Sequence, residues 1–300
     1  MYRILVPISF LTFLLEASRV LEHLDGLLAP LMGLLHLPAK AALPLVAGLL
    51  TGIYGGIASM AVLDLTVKET TLIAVFLLIS HAMIQESAIQ GQSGIHPLRA
   101  TAYRLAASIA VVWSIGAFWS GGAQTAPGSA AAALADEPPL AALADWGLET
   151  LWLCCQILVI LVVIMTLMEW MKARRVSERV ARGLGPLLDL LGLDRRCGLL
   201  WLTAALFGIS YGGAVIVEEA REGRLPPDAL ERLHLSIGIN HAMIEDPVLF
   251  LPLGVHPLWL WGPRLAAAVL AVHLHRAFVR LRSRRRAAPA GGSWGDGAQR

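Results

Sequence analysis

The chain has 300 residues, of which 56% are hydrophobic and only 15% charged, with a mean hydropathy of +0.65. A soluble domain carries about 25% charged residues, so this composition excludes an ordinary globular protein and points to a polytopic membrane protein. A net charge of +2, with the basic residues clustered beside apolar runs, excludes a nucleic-acid partner.

The first apolar segment, ILVPISFLTFLLEASRVL, is interrupted by Glu16 and lacks a small-residue cleavage site. It reads as a retained membrane helix rather than a signal peptide. Apolar runs span 3–22, 40–62, 69–90, 100–120, 148–171, 197–219, 230–252 and 258–279. Each approaches the ~20 residues that cross a ~30 Å hydrocarbon core. Between the fourth and fifth lies an Ala/Pro/Gly-rich stretch without Lys or Arg, so the chain divides into a first repeat (1–120), an extracytoplasmic linker (121–147), a second repeat (148–282) and a basic, disordered cytoplasmic tail (283–300). Cys154, Cys155 and Cys197 form no CxxC pair and read as apolar fillers.

The two halves match. LAPLMGLLHL at 28–37 aligns with LGPLLDLLGL at 184–193, an offset of 184 − 28 = 156. LLTGIYGG at 49–56 aligns with LFGISYGG at 206–213, an offset of 206 − 49 = 157. His81 meets His241, His96-Pro97 meets His256-Pro257 and Arg104 meets Arg264, each at an offset of 160 (241 − 81, 256 − 96, 264 − 104). An internal duplication accounts for the shared order of landmarks.

Charge orients the copies. Residues 172–196 hold Lys172, Arg174, Arg175, Arg179, Arg182, Arg195 and Arg196, and the tail holds Arg280, Arg282, Arg284, Arg285 and Arg286. The positive-inside bias puts both in the cytoplasm, yet three apolar runs separate them, so one run must enter and leave by the same face. The run 197–219, with Gly212 and Gly213, suits a re-entrant hairpin, and 40–62, with Gly55 and Gly56, is its counterpart. Backbone of that kind is tolerable at depth only where protein or a watery cavity covers it.

Each half then has three transmembrane helices, an interfacial helix and a re-entrant helical hairpin whose tips are Tyr54, Gly55, Gly56 and Tyr211, Gly212, Gly213. An odd number of crossings inverts the second copy, and both termini fall in the cytoplasm. Arg3, Arg99, Arg104, Arg221, Arg224 and Arg232 fit cytoplasmic ends, and Asp136, Glu137 and Asp145 fit the outside; Arg19, Lys40, Lys68 and Arg264 are exceptions. The expected fold is all-α, an inverted repeat of the secondary-transporter kind with a site near the midplane.

Two related motifs, SHAMIQESAIQGQSGIHP at 80–97 and NHAMIEDPVLFLPLGVHP at 240–257, supply that site. An ionisable group in lipid costs ~3 kcal/mol and is a functional candidate by default. Asn240, His241, Glu245 and Asp246 face His81, Gln85 and Glu86, and His241, Glu245 and Asp246 are candidate ligands for a divalent metal or coupling cation. Pro247 is expected to kink the helix just after Asp246. Glu16, Glu218 and Glu219 are further candidates, while His96 and His256 read as turn residues.

YGG in a hairpin, followed by HAMIEDP and GVHP, resembles the Gate, or nucleoside-recognition, family of bacterial membrane proteins. That family includes the permease part of ferrous-iron transporters and the spore-maturation membrane proteins, and is related in fold to concentrative nucleoside transporters. The resemblance covers residues 28–120 and 184–279, and implies interfacial helices, re-entrant hairpins and a transport-like core. No GxxxxGK[ST] loop is present, and the cysteines that mark the iron permease hairpins are missing.

The leading expectation is a permease of the bacterial cytoplasmic membrane for a small solute or divalent cation, not an enzyme, with the lipid bilayer and its substrate as partners and a homo-oligomer allowed. Alternatives are a nucleoside transporter of the same fold, a membrane scaffold subunit, and an intramembrane metalloenzyme; the last lacks an HExxH arrangement.

Overall fold

The computed structural model describes residues 1–119, 126, 138–223 and 225–287. Most of the linker, including Asp136 and Glu137, together with Arg224 and the tail beyond 287, lies outside the described residues. The described chain is helical throughout its regular structure. The first half comprises α1 (Tyr2–Ala17), α2 (Val20–Gly33), α3 (Ala42–Thr51), α4 (Ile53–Met60), α5 (Val67–Ser80), α6 (Met83–Gln92) and α7 (Pro97–Phe118). The second comprises α8 (Pro139–Ala173), α9 (Val176–Gly183), α10 (Gly185–Leu191), α11 (Gly198–Arg221), α12 (Pro227–Ile239), α13 (Glu245–Val248) and α14 (Pro257–Ala287).

Among the described residues, four stretches are long and apolar enough to cross a membrane: Val67–Gln92, Pro97–Phe118, Pro139–Ala173 and Arg195–Arg221. At the centre lies α5, buried continuously from Thr70 to Ser80, as expected of a helix that is apolar on every face. It packs on α7, as α12 packs on α14. A capping box starts α5, with the Thr66 hydroxyl accepting from Glu69 N–H and the Glu69 carboxylate accepting from Thr66 N–H. At the starts of α7 and α14, Pro97 and Pro257 occupy the first turn, while His96 Nδ1 accepts from Leu98 N–H at 3.3 Å and His256 Nδ1 from Leu258 N–H at 3.2 Å. Both histidines are therefore helix caps.

The two glycine-containing segments fold back on themselves, but not where the sequence suggests. The chain turns at Gly52 (φ 93°, ψ −176°) and at Gly208 (φ 77°, ψ 173°), conformations that L side chains rarely adopt. Tyr54, Gly55, Gly56, Tyr211, Gly212 and Gly213 lie beyond the turn, on the returning leg. A Cβ on Gly212 would meet the Ala204 backbone at 2.6–2.9 Å, although eight residues along a straight helix span ~12 Å. Gly56 likewise lies against the Gly48 Cα and Pro44 carbonyl of the outgoing leg. Small residues let the two legs approach to backbone contact.

This geometry also corrects the register of the duplication. Gly52 and Gly208 are equivalent at 208 − 52 = 156, and so are Gly48 and Ala204, whose carbonyls accept from Ala82 N–H at 3.0 Å and Ala242 N–H at 3.1 Å. Tyr54 is thus equivalent to Ser210, not Tyr211. A one-residue slip turns a helix by ~100°, and Tyr211 points elsewhere: it is 53% exposed and packs on Phe207 beneath Lys172.

Candidate functional site

The chain breaks twice more, at equivalent places. After α5 and α12 the helix stops, and Ala82 and Ala242 both take the left-handed conformation at φ 44°. That strain, about 1–2 kcal/mol for a residue with a side chain, is offset by three sets of contacts. The hairpin carbonyls capture the Ala82 and Ala242 N–H groups. Each alanine methyl sits against a turn glycine, with 3.7 Å available at Gly52 and 3.6 Å at Gly208. A buried arginine takes the freed carbonyls: Arg104 donates from Nε to Ile79 O (2.9 Å) and from Nη2 to His81 O (3.1 Å), and Arg264 from Nε to Ile239 O (3.1 Å) and from Nη2 to His241 O (2.7 Å). The helix therefore unwinds before Glu245, and Pro247 lies inside the short α13 that follows; the first copy breaks at the same place without a proline.

Between the two breaks lie four residues expected from the motifs. The His81 and His241 rings sit 5.1 Å apart between centroids. His81 Nε2 is 3.5 Å from Glu86 Oε1 and 3.5 Å from Asp246 Oδ2. His241 Nε2 is 3.4 Å from Glu86 Oε2. One ligand atom from each of His81, His241 and Asp246 falls within a 4.8 Å group. All four side chains are buried.

The histidine tautomers follow from the backbone. His81 Nδ1 lies 2.9 Å from Leu77 O and His241 Nδ1 lies 3.1 Å from Ile237 O. A carbonyl can only accept, so each Nδ1 carries the proton, and in a neutral ring each Nε2 presents a lone pair. Those lone pairs face carboxylate oxygens, which also present lone pairs. Electron pairs from four side chains converge, and those of His81, His241 and Asp246 lie close enough together to hold a proton or a cation between them.

Arginine was the component that sequence reasoning misplaced. Arg104 was expected at a cytoplasmic end and Arg264 as an exception to the charge rule; both are wholly buried, and Arg104 Nη2 pairs with Glu86 Oε2 at 2.5 Å. The usable signals were their matched positions and the failure of Arg264 to obey the charge bias. Two guanidinium groups balance the two carboxylates, which lowers the cost of keeping the group inside a membrane.

The other expected residues lie elsewhere. Glu245 is half-buried and its Oε1 accepts from Tyr54 Oη at 3.0 Å, so it stands apart from the ligand group, and Gln85 is exposed. Asn240 is fully buried, and its amide has no hydrogen-bond partner among the described residues. Glu16 and Glu219 are half-buried and Glu218 exposed, and none belongs to the cluster. A separate cavity of about 500 Å³ lies between α1 and α8, lined by Ser9, Trp146, Glu149, Thr150 and Gln156 among others.

The family described as Gate, nucleoside recognition, matches residues 1–91. The uncharacterized membrane protein YvoD of Bacillus subtilis is 32% identical over 277 residues, covering 89% of this chain and 86% of the relative. No solved structure is significantly similar. With the motifs, the paired helix breaks and this relative in agreement, the chain belongs to the Gate (nucleoside recognition) family of membrane proteins.

Proposed function

We propose that the protein is a permease of the bacterial cytoplasmic membrane that carries a divalent transition metal through the site between its two halves. The convergence of the His81 and His241 Nε2 lone pairs on Glu86 and Asp246 carries this reading. A metal-binding imidazole typically donates its other N–H to a carbonyl or carboxylate, and both histidines do so. Two imidazoles with carboxylate oxygens suit transition metals better than calcium or magnesium, which prefer oxygen alone.

The two halves are read as inverted repeats with three crossings each and both termini cytoplasmic, and the hairpins as re-entrant, with Gly52 and Gly208 near the midplane. The basic stretch 172–196 and the arginines after 279 support that orientation. Pairing of each turn glycine with an alanine of a broken helix is the kind of contact by which one element can shift against another around a fixed site.

A second reading, a nucleoside as cargo, is favoured by Asn240, whose amide offers an unpaired donor and acceptor, and by the family's description. The test is uptake by proteoliposomes of manganese, cobalt and zinc beside a panel of nucleosides. Metal uptake that is lost in His81→Ala and His241→Ala is expected. Nucleoside uptake without metal uptake, or metal uptake indifferent to both substitutions, would overturn the metal reading.

A further inference from the structure

Where α8 ends, Arg174 closes the helix and Arg175 turns the chain in the left-handed conformation at φ 51°. The helix that follows, α9, carries Glu178, Arg179 and Arg182 and has no buried residue. These side chains wall a crevice of about 430 Å³. A second crevice, of about 540 Å³, adjoins it through the shared Glu178 and Arg182 and is bounded on its other sides by Arg195 and Arg196, by Ala181 and Leu199, and by the side-chain-free Gly185 and Gly198.

Arginines therefore run the length of this groove, and exposed Leu199 gives its second half one apolar flank. Arg195 is held by Asp189 at 2.6 Å, and the pair keeps the Asp189 carboxyl below its usual range. Arg174, Arg175, Arg179, Arg182 and Arg196 have no carboxylate within ion-pair distance among the described residues, so five guanidinium groups face one carboxylate, that of Glu178. Arg174 lies 6.0 Å over the Trp170 ring, and an exposed Trp at the end of a long apolar helix marks the depth of lipid headgroups.

We propose that this groove is a binding site for an anionic phospholipid, with the phosphodiester on Arg174, Arg175, Arg179 and Arg182 and an acyl chain along Leu199. A guanidinium fork matches two phosphate oxygens at once, whereas a zwitterionic headgroup brings its own cation into the crevice and loses that advantage. Basic pockets beside membrane helices commonly hold such headgroups. The inference does not depend on what the central site carries.

The test uses the full chain in phosphatidylcholine nanodiscs doped with labelled phosphatidylglycerol, read by energy transfer to the protein. R174Q/R179Q/R182Q is compared with R3Q/R280Q/R282Q, which removes the same charge from exposed positions elsewhere. The first triple is expected to weaken phosphatidylglycerol binding by about tenfold or more, the second by less than about twofold. Inorganic phosphate is expected not to displace the lipid, because it has nothing to place on Leu199 or in the surrounding acyl layer. Equal losses in the two triples would overturn the proposal in favour of diffuse attraction, and full displacement by phosphate would overturn it in favour of a free-anion site. Matching thermal unfolding of both triples in undoped nanodiscs separates loss of the site from loss of the fold.

Discussion

Tyr54 donates its hydroxyl to Glu245 at 3.0 Å, joining the returning leg of the first hairpin to the motif of the second half across 191 residues. The equivalent positions in the other half are Ser210 and Gln85, both exposed, and a serine is too short to make the same reach. The protein is thus latched on one side only. A side-chain hydrogen bond contributes about 0.5–1.5 kcal/mol. Tyr54→Phe and Glu245→Leu, each of which removes one partner, are therefore expected to lower stability by similar amounts, and the double variant by little more than either. Thermal unfolding of the three proteins measures this, and strict additivity would show that the two groups do not act together.

Metal binding should separate two neighbours that the sequence presents as equals. Asp246 reaches His81 whereas Glu245 is engaged by Tyr54, so Asp246→Asn should weaken cobalt or zinc binding strongly, and Glu245→Gln by less than about threefold. Affinity should fall as pH is lowered, because protons compete for the same imidazole and carboxylate lone pairs. Titration calorimetry across pH on the purified protein reads both effects. Equal losses in the two variants would place Glu245 in the ligand set.

Arg104 does three things with one side chain: it caps Ile79 O and His81 O and pairs with Glu86. Methionine fills similar volume without charge or donors, so Arg104→Met is expected to cost about 3 kcal/mol or more, in keeping with a buried pair broken from one side. Replacing both partners, as Arg104→Met with Glu86→Gln, should recover part of the loss by removing the unpaired carboxylate. Unfolding midpoints in detergent decide the matter, and a double variant no better than Arg104→Met would make the carbonyl caps, not the ion pair, the dominant contribution.

Much of this was legible in the sequence. The match of the two halves, the alignment of His81 with His241, and the reading of His96 and His256 as turn residues all follow from repeated residue types at a constant spacing. The turn was not legible, because YGG repeats more visibly than a single glycine: the eye aligns Tyr54 with Tyr211 at 157, while the backbone aligns Gly52 with Gly208 at 156. Nor was the break at Ala82 and Ala242. Alanine is the best of helix formers, and only tertiary contacts from Arg104, Arg264 and the hairpin carbonyls hold it left-handed. Buried arginine was hidden for a similar reason, since charge alone assigns it to a surface.

The register argument makes its own prediction. Gly208 holds φ 77° and ψ 173°, a region open essentially to glycine alone, so Gly208→Ala should cost about 1–3 kcal/mol of backbone strain despite 3.6 Å of room before the Ala242 methyl. At Gly212 the φ is ordinary, but an added Cβ would lie 2.6 Å from the Ala204 Cα, and backbone cannot step aside as a flexible side chain can. Gly212→Ala should therefore also cost about 1–3 kcal/mol, by overpacking and separation of the two legs. Thermal unfolding of the two variants measures both, with Tyr211→Ala, on the exposed face of the same leg, as a near-neutral control. If Gly212→Ala proved as mild as Tyr211→Ala, the legs would not be in contact at Ala204, and the segment would run on as a straight helix rather than folding back at Gly208.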